Sequence, residues 1–180
     1  MRIISGTNKG RILMAPPEGT RPTADRAKEM LFDMLASFLM KEGKRWENLK
    51  WADVFSGSGA VGLEAVSRGC KQVYLFENNP MAQKIIRQNG KGMKFELLGD
   101  ALKPKTTNTP MDILFMDPPY GKGLWEVALP QFLKQGWIDS NTLVIIEEDK
   151  VNQVSIPADF VLQEKRSSGR NTFYFLKWEG

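Results

Sequence analysis

No histidine occurs anywhere in the 180-residue chain, which excludes histidine general bases, serine-type triads and zinc–histidine sites. The single cysteine, Cys70, excludes an internal disulfide framework and fits a reducing cytosol. No apolar run approaches the roughly 20 residues of a membrane span. The opening Met1-Arg2-Ile3-Ile4-Ser5-Gly6 holds no apolar stretch long enough for a secretory signal. No glycine turn runs into Gly-Lys-Ser or Gly-Lys-Thr, so a phosphate-binding P-loop is absent. These absences leave a cytoplasmic, single-domain protein with no membrane partner and no metal, and 180 residues are enough for a substantial core.

Net charge is also scarce, at +4, but it is unevenly placed. Residues 1–50 hold ten Lys/Arg and six Asp/Glu, a surplus of four, while the remaining 130 residues hold fifteen of each. A basic N-terminal quarter on a neutral body fits an acidic partner such as nucleic acid. An ordinary solvated surface accounts for so small an excess as well.

Residues 2–14 read as two short strands around the turn Thr7-Asn8-Lys9-Gly10, and Pro16, Pro17 and Gly19 then act as a linker. This divides the chain into a basic hairpin extension over residues 1–20 and a main domain over 21–180. Arg21-Pro22-Thr23-Ala24-Asp25-Arg26 opens a helix, with Thr23 as its cap and Met30, Leu31, Met34, Leu35, Phe38 and Leu39 on one face. Arg21 and Arg26 oppose the helix dipole at about 0.3–1 kcal/mol each. An anionic ligand would explain them, and so would pairing with Asp25 and Glu29.

From Trp51 onward strands and helices alternate. Strands are predicted over 51–55, 73–76, 94–98, 113–116 and 143–146, with helices over 60–68, 80–89 and 124–135. The stretch 101–109 is polar and short for a helix. Phe160–Lys165 and Thr172–Trp178 pair as an antiparallel hairpin. The fold class is therefore α/β: a Rossmann-like, seven-stranded, mostly parallel sheet with a C-terminal antiparallel hairpin.

Ligands of such sheets bind at the carboxyl ends of the strands. Asp53 lies at the end of the first strand, Glu77 directly follows the second, Asp100 lies just past the third and Asp117 follows the fourth. Gly57-x-Gly59-x-x-Gly62 matches a dinucleotide fingerprint, a weak signal by itself. A pyrophosphate beside several carboxylates would be repelled. S-adenosylmethionine carries a sulfonium cation and no phosphate, so the acidic rim favours it over NAD. Its methionine carboxylate suits the helix N-terminus after Gly59.

Asp117-Pro118-Pro119-Tyr120 carries the acceptor chemistry. The lone pair of an amino group on a base is delocalised into the ring. Accepting its N–H bonds, from the Asp117 carboxylate and the Pro118 carbonyl, draws it toward a tetrahedral nitrogen that can attack a methyl group. The prolines stiffen the loop and Tyr120 offers a stacking face.

These residues resemble the Class I S-adenosylmethionine-dependent methyltransferases with an Asp/Asn-Pro-Pro-Tyr/Phe signature. Arg2-Ile3-Ile4-Ser5-Gly6…Lys9-Gly10-Arg11, Arg21-Pro22-Thr23-Ala24-Asp25-Arg26…Glu29-Met30-Leu31-Phe32 and Asp53…Phe55-Ser56-Gly57-Ser58-Gly59 narrow the resemblance to the RsmD family. That family methylates N2 of a guanine in bacterial 16S ribosomal RNA. The resemblance implies that Asp53, Phe55, Gly57 and Gly59 line the methionine end of the cofactor and that Glu77, with Asn78, binds the ribose. It implies that Asp100, with Ala101, holds the adenine, and that Asp117, Pro118, Pro119 and Tyr120 hold the target guanine, with Asp117 also among the cofactor-binding residues. Arg21, Thr23 and Arg26 would order cofactor and RNA, and Arg2, Lys9 and Arg11 would grip phosphates. The implied partner is 16S RNA or a small-subunit assembly intermediate, met by a monomer. Adenine-N6 methylation of DNA or RNA remains the alternative, since the same signature serves both amines. A non-catalytic RNA-binding or assembly protein is the alternative of a different class.

Overall fold

The apolar runs predicted as strands form the middle of one sheet. The computed structural model describes residues 1–15, 23–119, 122–152 and 154–180. Seven strands, β1 (Lys50–Val54), β2 (Gln72–Phe76), β3 (Glu96–Leu98), β4 (Ile113–Met116), β5 (Leu143–Asp149), β6 (Phe160–Ser168) and β7 (Asn171–Trp178), lie in the order β3-β2-β1-β4-β5-β7-β6. β1 to β5 are parallel, and β7 and β6 close the far edge antiparallel. The chain winds outward from β1 through β2 to β3, then returns to β4 beside β1. The crevice at this reversal is where open α/β sheets take their ligands.

β4 and β5 are buried along their whole length, and β4 with the first four residues of β5 reads as an unbroken apolar run. One face carries Trp51, Ile113, Phe115, Ile145 and Phe173, covered by α1 (Thr23–Lys41), α2 (Ala60–Ser67) and α3 (Pro80–Asn89). The other carries Ala52, Val54, Leu114, Met116 and Ile146 beneath α4 (Leu124–Lys134), which contributes Trp125, Leu129 and Phe132. α1 is anchored by Phe32, whose ring stacks on Trp51 of β1 at 5.5 Å and 12°. Burying such a ring stabilises by about 1.5–3 kcal/mol. α3 starts where the sequence indicates: the Asn79 side chain accepts from the N–H groups of Met81 and Ala82, and Pro80 follows as the first helical residue.

The N-terminal arm forms one isolated antiparallel bridge, Arg2 with Ile12, rather than the two strands expected. The Ile3 N–H donates to Arg11 O at 2.9 Å and the Leu13 N–H to Met1 O at 2.9 Å. The next donors, Ile4 and Ser5, turn away to Glu64 of α2, at 2.7 and 3.0 Å. Glu64 is 0% exposed and also accepts from Arg68 Nε at 2.9 Å, with Lys28 Nζ at 3.6 Å. Lys28 in turn donates to Arg2 O at 2.6 Å. Further along, Asn89 accepts from the Met14 N–H and donates to Met14 O. Ile3 and Leu13 enter the core between these polar fastenings. The arm is thus sewn to α1, α2 and α3 by side chains, so ladder pairing is not needed to hold it.

The outer edge strand β6 is largely exposed and breaks register between Leu162 and Glu164. At the inner edge β3 is three residues long, and no helix intervenes between it and β4.

Candidate active site

The parallel strands carry their acids to one rim in sheet order. Asp100 follows β3, Glu77 follows β2, Asp53 is on β1, Asp117 follows β4 and Glu147 is on β5. All five line a single cavity of about 560 Å³. The strand register explains part of this row. Asp53 pairs with Phe115 and Ile146 with Met116, so Asp53, Phe115 and Ile145 share a face. Two residues further on, Asp117 and Glu147 return to that same face.

The glycine turn is built around Asp53 and Glu77. Asp53 Oδ2 accepts from the Gly62 N–H at 2.8 Å. A Cβ at Gly62 would stand 2.0 Å from Leu75 Cδ2 and 3.0 Å from Asp53 Oδ2, so only glycine lets α2 approach β1 and β2 this closely. Glu77 Oε2 accepts from the Gly57 N–H at 2.9 Å, and Oε1 from the Asn79 N–H at 2.8 Å. Phe55, at φ 68°, is the one non-glycine residue with positive φ among the described residues, and it enters the turn from β1. Such a conformation is uncommon outside glycine and tends to mark functional turns. Asp100 Oδ1 accepts from the Leu102 N–H at 2.9 Å, which folds the chain into a turn over residues 100–102 where a helix was doubtful.

Two of these carboxyls are forced away from ordinary behaviour. Burial pushes Asp53 up to about 7, against the pull of the Gly62 N–H, with the charges of Asp117 and Glu77 adding to the rise. Glu147, 6% exposed, is raised well above the usual carboxylate range, first by burial and then by the charge of Asp117. The hydrogen bond that Asn171 Nδ2 donates to Glu147 Oε1 works in the other direction. A cavity that holds two buried carboxyls away from their ordinary range favours a cation.

Most of the predicted cofactor residues meet here: Asp53, Phe55, Gly57, Glu77, Asn78, Asp100, Ala101 and Asp117 all line the cavity. Gly59 does not line it. It precedes α2 in a left-handed conformation and turns the chain into the helix. Pro118 is buried and Pro119 exposed at the cavity's β4 end. Tyr120, Arg21 and the side chain of Thr23 lie outside the described residues.

The predicted phosphate-binding residues do not reach the cavity. Arg2 and Lys9 are exposed on the arm, and Arg26 is exposed on α1, facing Ser167, Ser168 and Gly169 of the β6–β7 turn across a shallow groove. Arg11 is engaged elsewhere: its Nη1 donates to Asn89 O at 3.0 Å and Lys91 O at 2.9 Å, closing the end of α3. Residues that the sequence reading did not assign to the site include Lys28, Leu31, Glu147, Arg170 and Asn171, all of which line the cavity. Glu147 had a signal. It opens the run Glu147-Glu148-Asp149 directly after an apolar strand, the offset that marked Asp117.

The family model described as conserved hypothetical protein 95 matches residues 1–177. Ribosomal RNA small subunit methyltransferase D of Escherichia coli K12 is 32% identical, over 99% of this chain and 90% of that protein. The chain belongs to the RsmD family. Another RsmD relative, the protein of the same name from Haemophilus influenzae, is 30% identical over 94% of this chain and 89% of its own length. Among solved structures, the putative methyltransferase yhhF from Escherichia coli superposes with a TM-score of 0.81 at 27% identity, covering 99% of this chain and 98% of that one. The sheet order of the RsmD chain described here is thus that of a class I methyltransferase.

Proposed function

We propose that this RsmD-family protein transfers a methyl group from S-adenosylmethionine to the N2 amine of a guanine in 16S ribosomal RNA. The observation that carries the reading is one cavity shared by the Asp117-Pro118-Pro119 exit and by the glycine turn with its acids. The donor set fits the cofactor: a rim of carboxyls repels a pyrophosphate and attracts a sulfonium, and about 560 Å³ lies within the range of small-ligand sites.

The residues divide along the sheet. Asp100 and Glu77, past β3 and β2, suit the amino and hydroxyl donors of a nucleoside. Asp53 and the N-terminus of α2, at β1, suit an amino-acid end that carries both charges. Asp117 and the Pro118 carbonyl, at β4, suit the two N–H bonds of the acceptor amine. When bound, the cofactor supplies a methyl group already activated by its positive sulfur, so the protein's work is orientation and electrostatics. The bound cofactor would supply the methyl group, with its neutral sulfur product as the leaving group, to the amine held by Asp117 and the Pro118 carbonyl. The nitrogen then sheds one proton, and the Asp117 carboxylate is the acceptor within reach of that amine. The base has to leave the RNA stack to enter such a cavity.

The names of the relatives support a small-subunit ribosomal RNA substrate; that a monomer meets it in the cytoplasm is part of the same proposal. Incubating the protein with S-adenosylmethionine and undermodified 30S particles, beside free 16S RNA, and then analysing nucleosides by mass spectrometry tests the reading. N2-methylguanosine is the expected product. N6-methyladenosine alone would overturn the assignment of the base, and failure to bind S-adenosylmethionine in calorimetry would revive the non-catalytic alternative.

A further inference from the structure

We propose that Glu147 is a specificity-determining residue, accepting a hydrogen bond from the N1–H of the guanine whose N2 amine is held by Asp117. This rests on the guanine-N2 reading above.

The sheet order separates the two ligands. With the cofactor assigned to the rims of β3, β2 and β1, the rims of β4 and β5 are left to the acceptor. Glu147 is the acid on β5, and it shares the cavity with Asp117, Pro118 and Pro119. Asp117 directly follows β4 and Glu147 lies on its parallel neighbour β5, strands of this kind being about 4.8 Å apart. On the Watson–Crick edge of guanine the N2 amine and N1–H are adjacent donors. Adenine presents its N6 amine beside N1 as an acceptor. Two acceptors side by side therefore match guanine and leave a repulsive pair against adenine.

The surroundings of Glu147 hold it ready for this. Asn171 donates to Oε1 and so orients the carboxyl, and Glu147 lines the cavity. Burial and the charge of Asp117 disfavour the ionised form. A bound cation would oppose that shift, and the base N1–H would supply a donor to the carboxylate. No structural need of β5 calls for a buried acid here, because Ile145 and Ile146 already fill both faces of the sheet below it.

The Glu147→Gln variant keeps the carbonyl oxygen that Asn171 contacts and turns an amide donor toward the base. It is assayed on the RNA that the wild type methylates, carrying at the target position either guanine or 2-aminopurine, which keeps the N2 amine but has N1 as an acceptor. Wild-type protein is expected to favour guanine by kcat/KM on the order of 10–100-fold. In the variant the guanine rate falls by a comparable factor, the 2-aminopurine rate is unchanged or higher, and calorimetry gives an S-adenosylmethionine affinity within a few-fold of wild type. An unchanged guanine to 2-aminopurine ratio in the variant would overturn the proposal. So would equal rates on the two bases with the wild type, a measurement that needs no variant to fold. If the wild type makes no N2-methylguanosine at all, the reading of the function fails first and this proposal goes with it.

Discussion

Two groups of buried acids in this molecule have opposite surroundings. Glu64, under the N-terminal arm, receives two backbone N–H groups, a guanidinium and an ammonium. Asp53 and Glu147, in the cavity, are held largely by Gly62 and Asn171, and both are pushed toward the protonated state. Glu64 is complete within the folded chain and fastens one part of it to another. The cavity acids are left to be completed by a ligand. How well a buried charge is satisfied separates a structural carboxylate from a functional one more clearly than burial does.

The contrast breaks most sharply at Glu64. Changing it to Ala leaves Lys28 and Arg68 without their shared partner and is expected to cost about 3–5 kcal/mol, read as a lower urea midpoint. The Asp117→Ala change should act the other way round, with stability nearly unchanged and single-turnover methyl transfer lowered on the order of 10²–10³-fold. Its S-adenosylmethionine affinity should move little; a large loss of binding with normal turnover would reassign Asp117 to the cofactor.

Asp53 gives a smaller effect that depends on pH. Its folded value of about 7 exceeds the ordinary 3.8, so the native state holds this proton more tightly than the unfolded chain does. The stability from that proton is complete below the unfolded value and is lost as pH rises through about 7. The apo protein should therefore melt lower at pH 8 than at pH 5, and Asp53→Asn should flatten that trend. S-adenosylmethionine, a cation, should bind more tightly across the same rise in wild type, and calorimetry at several pH values checks it.

The smallest effects separate the arm's basic residues. Arg2→Ala and Lys9→Ala should each reduce the slope of log binding against log salt by about one unit for RNA, with unchanged melting. Arg11→Ala should lower the melting temperature instead, because its guanidinium closes the end of α3.

What was legible from sequence follows the same division. β4 and the first four residues of β5 could be found because a strand buried on both faces reads as a run of apolar residues, and β1 because it leads into the glycine turn. The start of α3 could be found because Asn79-Pro80 is a local signal. The rim acids at β1 to β4 could be found because each stands at the end of a recognisable strand. The arm's attachment was not legible, since Glu64 looks like any helical acid until Ile4 and Ser5 fold back onto it. Nor was the full length of β5. Its last three residues are acids, and nothing local marks Glu147, Glu148 and Asp149 as buried. Burial of a charge is decided by partners distant in the chain, and periodicity carries no trace of them.

The broken register of β6 bears on how the molecule behaves at high concentration. An outer strand nine residues long, with Val161 and Leu162 exposed, is a template on which a second chain's strand could lie. The shift between Leu162 and Glu164 interrupts the row of free backbone groups, and Glu164, Lys165 and Arg166 place charges of both signs along the rest. Restoring an even register and replacing Lys165 with an apolar residue would turn this edge into an adhesive one, and light scattering would report it as aggregates of intact, folded chains.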